Sequence, residues 1–265
     1  MIGQSVQRIW GLVYRHACLY RKSWPRLVEL AYWPTLEMLI WGLTARFLYL
    51  RGGAAWLLAG ALLGGVLLWE VALRAQMGMA MSFLEEVWSR NLAHIFISPL
   101  RPAEMVAGLM TVSLLRLLVG LLPAVLLAYG LYAFNVFACG PVLILFFVNL
   151  VVMGWAVSFG VMGLLLRHGA GAESLAWGVL AGLTPLCAVY YPVHVIPMPW
   201  RVISLALPAT HVFEGMRAAL HGHVAWGELG LAATLNLGWL IVLALLFVRE
   251  FRIARVRGAL LSLGE

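Results

Sequence analysis

Long apolar stretches separated by short polar ones make up most of this chain. Several of them approach or exceed the roughly 20 residues that a helix needs to cross a bilayer. A transmembrane β-barrel would instead show short segments of alternating hydrophobicity. The pattern therefore predicts an all-α polytopic membrane protein with six transmembrane helices. The predicted spans cover residues 27–50, 54–79, 105–132, 142–166, 175–191 and 229–248.

The first 26 residues have an amphipathic pattern of their own. Apolar residues recur at helical spacing over about five turns, and basic residues occupy the other faces. The segment lacks the continuous apolar core and the small-residue cleavage site of a targeting sequence. We therefore expect an N-terminal amphipathic helix that lies in the cytoplasmic membrane interface. Its apolar stripe consists of Val6, Ile9, Trp10, Val13, Ala17, Tyr20 and Trp24.

A polar island at residues 83–104 separates the second predicted span from the third. As a helix, it carries an apolar stripe on one side, and on another side Glu86 and Arg90 form a favourable pair one turn apart. Pro99 ends this helix, because proline cannot continue the backbone hydrogen bonding. The island therefore predicts a short charged helix, held at the membrane surface, against which a partner protein docks.

Four prolines divide the long connection at residues 192–228 into short pieces. Helices near 200–207 and 209–220 would be about 12 to 18 Å long, which is too short to cross a bilayer. We interpret them as two short re-entrant or interfacial helices on the outer side, where neighbouring protein or water satisfies the freed backbone groups. An ordinary apolar outer loop is the alternative. The prolines are Pro192, Pro197, Pro199 and Pro208.

The charges are few and unevenly distributed. The chain is 63% hydrophobic and 11% charged, and its formal net charge is +7. Most Lys and Arg residues fall in connections that share one side of the membrane if the N-terminus is inside, which predicts cytoplasmic termini. The positive charge suits contact with membrane lipids, and no basic groove with interleaved aromatic residues supports nucleic-acid binding. A multi-pass protein of the bacterial cytoplasmic (inner) membrane is the expectation.

The three cysteines are widely separated, so neither a disulfide framework nor a metal site is indicated. No linker rich in Gly, Ser or Pro divides the chain, which predicts a single membrane domain over residues 1–265. Its predicted parts are the interface helix at 1–26, two spans at 27–82, the island at 83–104, three spans at 105–191, the outer segment at 192–228, and the last span with a basic tail at 229–265.

Four ionisable residues fall inside or near the predicted spans. Such residues are costly in hydrocarbon and are functional candidates by default. Glu70 and Arg74 are expected to form a structural pair one turn apart. Glu37 and Arg116 either pair across the first and third spans or face a polar path, and the sequence leaves both options open.

His211 and Glu214 have a spacing that superficially suggests a metal site. No third ligand is apparent, so a helix-capping role or a salt bridge near Arg217 is favoured. No other convergent set of catalytic residues is visible in the sequence.

Several of these elements together resemble the permease subunit of a type-2 ABC exporter. The resemblance covers nearly the whole chain, and its most specific parts are the Ser-Pro-Leu sequence and the stretch from proline to Glu-x-x-Arg. It implies that the island is a coupling helix seated in a groove of an ATPase subunit, and that the outer helices cap the transport path. The elements are the N-terminal helix, the six spans, and the sequences at 83–91, 97–100, 191–192, 207–208 and 213–217.

The resemblance assigns roles to particular positions. The residues implied in ATPase coupling are Glu85, Glu86, Trp88, Arg90, Asn91 and His94. Those of the outer re-entrant segment are Tyr191, Pro192, Pro208, Glu214 and Arg217.

The resemblance also implies ATP as the energy source, but this chain has no site for it. A P-loop requires a Gly-rich turn followed by Lys-Ser or Lys-Thr. The only lysine, Lys22, has no glycine turn before it, and the chain has no Asp to hold magnesium. ATP and Mg are therefore expected in a separate ABC ATPase subunit, present in two copies. A second permease copy is also expected, forming a homodimer or a pair with a close homologue.

The sequence therefore predicts a permease that exports a lipid, glycan, drug-like or other small substrate. The alternative is an ATPase-coupled membrane assembly or maturation factor that transports no free substrate. The abundant Trp and Tyr residues suit interfacial belts as well as a substrate path, and they do not identify the substrate.

Overall fold

The computed structural model of the chain describes residues 2–50, 55–89, 91 and 98–257. Over these residues the fold is all-helical, as the sequence predicts, and contains no β-strand. Short 3-10 turns at Val136–Cys139, Gly169–Ala172, Thr184–Leu186 and Val193–Val195 connect some of the helices. The α-helices are α1 Ile2–Arg21, α2 Trp24–Leu50, α3 Ala55–Trp88, α4 Pro102–Tyr132, α5 Val142–His168, α6 Glu173–Leu183, α7 Trp200–Leu205, α8 Pro208–Leu220 and α9 Trp226–Val256.

Among the described residues, three helices are both long enough and apolar enough to cross a membrane, namely α4, α5 and α9. Helices α2 and α3 contain 27 and 34 residues. At 1.5 Å per residue their lengths are about 40 and 51 Å, which also exceeds the hydrocarbon thickness. Both carry charged residues within their apolar sequence. The fold is therefore that of an integral membrane protein, and the count of six spans stays a prediction.

Helix α3 forms the centre of the bundle together with α5. On one side α3 packs against α2 and α4, and α5 packs in turn against α9. Helices α3 and α5 approach each other closely at Gly154. A Cβ added there would lie only 2.7 Å from the carbonyl oxygen of Ala72. The hydroxyl of Ser158 also donates to the carbonyl of Gln76 at 2.6 Å. Small residues thus allow close packing, as is common between membrane helices.

The first part of the polar island is not a separate helix. Residues 83–88 are the last turns of α3, which ends at Trp88, and Ser89 lies in a turn. The predicted single helix from residue 83 to Pro99 is therefore interrupted at Ser89 and Asn91, and residues 92–97 lie outside the described residues. Arg90 and His94 lie outside the described residues, so the predicted Glu86–Arg90 pair stays a prediction.

The fifth predicted span is also corrected. Helix α6 covers only Glu173–Leu183, about 16 Å at 1.5 Å per residue. The chain then continues through 3-10 turns and bends as far as α7. The missing N–H of Pro185, which lies within the 3-10 turn Thr184–Leu186, disfavours continuation of α6 through this stretch.

The chain from α6 onwards nevertheless follows α3 in the opposite direction. Nε2 of Gln76 donates to the carbonyl of Ala176 at 3.1 Å, and Nε1 of Trp69 donates to the hydroxyl of Thr184 at 3.0 Å. Further along, the carbonyl oxygen of Val189 reaches the backbone at Gly65. Residues 176–189 therefore run from the C-terminal part of α3 toward its N-terminal part.

The short helices predicted between residues 200 and 220 are present as α7 and α8. Helix α8 begins with Pro208 at its first position, where the missing N–H costs nothing. Its residues Val212, Phe213 and Met216 are buried in the core. Met216 contacts Gly64 near the start of α3, so α8 lies at the end of the bundle opposite to α1. We call the two ends the α1 end and the α8 end.

Candidate coupling surface and buried charges

Helix α1 is attached to the end of α3 and the start of α4. Leu12 and Val13 are buried, and Leu12 packs on the backbone of α4 at Gly108. Trp10 and Tyr14 are exposed on other faces of the helix. Helix α1 thus buries one apolar stripe in the protein and leaves aromatic side chains free for another surface.

Charged side chains reinforce this attachment in what we call the latch, formed by Arg15, His16, Glu85, Glu86 and Asn91. Nη1 of Arg15 donates to both carboxylate oxygens of Glu86, at 2.7 and 2.9 Å. Nδ2 of Asn91 donates to the same carboxylate at 2.8 Å. Glu86 is fully buried, so these contacts compensate for the loss of its hydration.

His16 lies between the two glutamates and is only 1% exposed. Its Nδ1 is 3.6 Å from a carboxylate oxygen of Glu85, and its Nε2 is 3.3 Å from one of Glu86. These distances suit ion pairing but do not meet hydrogen-bond geometry. Burial by itself lowers the pKa of His16, but the two carboxylates outweigh it and the pKa is raised.

The carboxyl groups of the latch shift in the opposite direction. Burial raises the pKa of Glu85, but His16, Arg116 and Arg26 outweigh this effect and the pKa is lowered. For Glu86, burial is likewise outweighed by His16, Asn91 and Arg15, and its pKa is also lowered. The charged groups of the latch thus each favour the ionised form of their partners.

A second link joins α1 to the start of α4. Nη1 of Arg8 lies 3.4 Å from the carboxylate of Glu104. That carboxylate also accepts the backbone N–H of Arg101 at 2.9 Å, which caps α4. The backbone hydrogen bond from Arg101, followed by those from Ser5 and Arg8, lowers the pKa of Glu104.

Arg116 turns toward the latch instead of toward Glu37. Its Nη1 donates to the hydroxyl of Ser82 at 2.7 Å, and its guanidinium carbon lies 4.6 Å from the centre of the Tyr20 ring. Its Nη2 is 4.0 Å from Glu85. The suggested pairing of Arg116 with Glu37 is therefore wrong, because the helical position of Arg116 directs it toward α1 and the end of α3.

Glu70 and Arg74 form the expected pair, with Nε of Arg74 donating to Glu70 at 2.8 Å. The glutamate is buried, and its side chain interacts with that of Glu37 on α2. Two carboxyl groups thus meet between α2 and α3, a contact that the sequence did not indicate.

At the α8 end, Arg217 is surrounded by backbone carbonyls. Its Nη2 donates to the carbonyls of Ala188 and Tyr191 at 2.6 and 2.9 Å and to the carboxylate of Glu214 at 3.1 Å. The Glu214 carboxylate also accepts the backbone N–H of Val193 at 2.8 Å. The predicted Glu214–Arg217 pair is present, and both side chains also bind the irregular chain that follows α6.

The neighbouring residues hold the same segment in place. Pro192 precedes the 3-10 turn at Val193–Val195, and the hydroxyl of Tyr191 donates to the carbonyl of Pro185. Non-helical backbone inside a membrane requires partners of this kind within the protein.

His211 has a partner that the sequence did not indicate. Its Nδ1 lies 2.7 Å from the carboxylate of Glu228, and its Nε2 lies 2.9 Å from the carbonyl oxygen of Leu205. The expected salt bridge near Arg217 is made by Glu214, whereas His211 contacts Glu228 instead. Among the described residues, no group of His, Cys, Asp or Glu could hold a metal ion.

The predicted coupling residues divide into two groups. Glu85, Glu86 and Asn91 belong to the latch, whereas Trp88 is 48% exposed. The partners on α1, Arg15 and His16, were missed. Both are polar residues on the N-terminal helix that the sequence predicts, but the sequence does not show where this helix docks.

The geometry agrees with a comparison to known protein families. The family described as "ABC-2 type transporter" matches residues 9–221, from within α1 to just beyond α8. The chain belongs to the ABC-2 type transporter family. The match includes the latch, the Glu37–Glu70 contact and the Arg217 site. No curated protein matches the chain. The matched family describes the membrane component of ABC transporters, so the chain is a transporter permease.

Proposed function

We propose that this chain is the permease subunit of an ATP-driven exporter, working with a separate ABC ATPase in two copies. The family match and the long apolar helices support this proposal. ATP and Mg bind to the ATPase subunit. A second copy of the permease completes the path, and the large apolar surfaces left exposed on α2, α4 and α9 leave room for such a partner as well as for lipid.

The α1 end is proposed to face the cytoplasm of a bacterial cell. Arginines are concentrated there, and positively charged flanks resist translocation. Helices α2, α3, α4, α5 and α9 each cross the membrane. The remaining crossing, which is the fifth along the chain, is not one continuous helix. It consists of α6 and the irregular chain that follows α3 toward the α8 end. Both termini then lie in the cytoplasm.

The latch is the main observation behind the proposed coupling of this chain to the ATPase. It fixes α1 to the end of α3 and leaves Trp88 and Ser89 exposed beside it. An ATPase that docks on this exposed turn would move α1 and α3 together, because Glu86 is bound by side chains from both sides of the contact. At the other end, α7 and α8 cap the outer mouth of the path.

The proposal is tested by purifying the tagged chain from its native membranes and measuring the associated ABC ATPase. Trp88→Ala removes an exposed anchor without touching the latch, and it should reduce the recovered ATPase by at least about fivefold, as hot-spot tryptophans do. Trp226→Ala is the matched control, since Trp226 is 66% exposed and begins α9 away from the latch.

Transport in sealed vesicles distinguishes an exporter from an assembly factor. ATP-dependent movement of a solute that Trp88→Ala abolishes supports the exporter. Recovery of no ABC ATPase with the unmodified chain would overturn the proposal. ATP hydrolysis without any transport would favour the assembly or maturation role.

A further inference from the structure

Two carboxyl groups meet inside the bundle with one arginine beside them. Glu70 is 1% exposed, and Arg74 binds only its Oε2. The other oxygen, Oε1, is buried and has no hydrogen-bond partner among the described residues. Glu37 interacts with Glu70, and no basic side chain in the described part of the chain forms an ion pair with Glu37. With both glutamates ionised, one negative charge is left unbalanced.

Aromatic rings lie next to this pair. Trp41 follows Glu37 by one helical turn and shares its face of α2. The ring of Tyr190 stacks on Trp41, with centroids 4.6 Å apart and an interplanar angle of 23°. Tyr190 also lies within electrostatic range of Glu37 and Glu70. Carboxylates beside electron-rich ring faces are the groups that recognise an organic cation.

Arg217 connects the aromatic pair of Trp41 and Tyr190 to the α8 end. It binds the carbonyls of Ala188 and Tyr191, on both sides of Tyr190. The aromatic wall is therefore held in place by the segment that caps the bundle, and Arg217 acts as a positioning residue.

A structural role alone does not account for this arrangement. Ionised carboxylates are costly inside a membrane unless they are paired, and two adjacent carboxyls can lower this cost by sharing a proton. A shared proton requires neither aromatic neighbours nor access from outside. Glu37, Trp41 and Tyr190 are all partly exposed, so a ligand can reach them.

We propose that Glu37 and Glu70 bind the charged group of an organic cation, with Trp41 and Tyr190 contacting its apolar body. This site defines the substrate class of the permease, and it rests on the proposed function as an exporter. The missing positive charge next to Oε1 of Glu70 is supplied by the substrate. Binding of the substrate displaces the shared proton to water, and after release of the substrate the pair takes up a proton from water again.

Two probes of equal shape and opposite charge test the site. Tetraphenylphosphonium and tetraphenylborate are added to the purified complex in nanodiscs, and binding is measured by equilibrium dialysis after subtracting empty nanodiscs. The cation should bind and the anion should not. Glu37→Gln should weaken cation binding by at least about tenfold, since truncating one partner of a buried charge pair is costly.

Glu29→Gln is the matched control, because Glu29 lies two turns earlier on α2 and is exposed. It should leave cation binding unchanged. Trp41→Leu should weaken binding by about fivefold through the loss of the ring face. Because a proton competes for the same carboxyls, binding should be tighter at about pH 8 than at about pH 6. The groups that face the pair are Arg74 and Tyr190.

Equal binding of the two probes, or equal affinities in Glu37→Gln and Glu29→Gln, would overturn the proposal. The ATPase content of each preparation is measured in parallel. A failed cation site in a complex that retains its ATPase is therefore distinct from a failure of the proposed function.

Discussion

Glu86 at the α1 end is bound by side chains, whereas Arg217 at the α8 end is bound mainly by backbone carbonyls. The first arrangement joins two regular helices, α1 and α3, that already satisfy their own backbones. The second satisfies a stretch of chain that has no helix of its own. Charge thus serves attachment at one end and replaces missing backbone hydrogen bonds at the other.

The difference has a consequence for mutations. A side-chain contact between two helices can be lost while both helices persist, because their hydrogen bonds are internal. A side chain that completes an irregular backbone leaves several acceptors without partners when it is removed. We therefore expect local detachment at the α1 end and wider loss of structure at the α8 end.

The largest effect is expected for Arg217→Ala. It removes donors to Ala188, Tyr191 and Glu214, and should destabilise the protein by about 3 kcal/mol. The midpoint of thermal unfolding in nanodiscs measures this. Arg217→Lys should recover only part of the loss, because one ammonium group cannot replace the planar fork of donors.

Arg201→Ala is the control for this prediction, since Arg201 lies at the same end and forms no ion pair among the described residues. Exchanging Glu214 and Arg217 should not restore stability, because a glutamate at 217 cannot donate to carbonyls. Full recovery by the exchange would show that the ion pair alone matters.

A smaller and more local effect is expected for Glu86→Gln. The amide keeps the shape but loses the charge that holds Arg15 and His16, and the attachment of α1 should weaken by about 2 kcal/mol. Hydrogen exchange of the α1 amides measures this. Glu29→Gln, on an exposed position of α2, should leave exchange unchanged. Equal loss of protection throughout the bundle would contradict a purely local role.

The latch should also respond to pH. The pKa of His16 is raised above 6.5, so its contribution is fully present below pH 6.5 and is lost as pH rises through the folded-state value. The pKa values of Glu85 and Glu86 are lowered below 4.5, so their contribution is present above pH 4.5 and is lost as pH falls through the folded-state values.

Protection of α1 should therefore be greatest between pH 4.5 and 6.5 and decline at higher pH. Hydrogen-exchange rates corrected for intrinsic pH dependence measure this. His16→Asn should remove the decline above pH 6.5, and persistence of the same decline in that variant would assign it to another group.

The smallest effect is expected from a mutation at a contact between two neutral side chains, Asn236 and Asn149, which lies between the α1 end and the α8 end. Nδ2 of Asn236 on α9 donates to Oδ1 and the carbonyl of Asn149 on α5, at 2.9 and 3.0 Å. Asn236→Leu should cost only about 0.6 kcal/mol, because hydrogen bonds between membrane helices contribute little on average. A loss as large as that of Arg217→Ala would remove the distinction between charged and neutral contacts.

The sequence predicted the helices correctly where the pattern of apolar residues or prolines lies within a single segment of the chain. The amphipathic spacing from residue 6 onward predicted a helix that appears as α1, although α1 ends at Arg21 and Trp24 already belongs to α2. The four prolines predicted the short helices α7 and α8. The prediction failed where an apolar stretch does not form one helix. Residues 175–191 are apolar throughout, yet α6 ends at Leu183 and the remaining chain depends on Trp69, Arg217 and Thr210 for partners.

The sequence by itself determined most of the long helices, the pairs one turn apart such as Glu70–Arg74, and membership of the ABC-2 type transporter family. These follow from the helical period, which fixes the neighbours of a residue within its own helix. Only the tertiary structure decided that His16 meets Glu86 and that Glu37 meets Glu70. Such contacts depend on how helices pack, and packing joins residues whose separation along the chain carries no periodic signal.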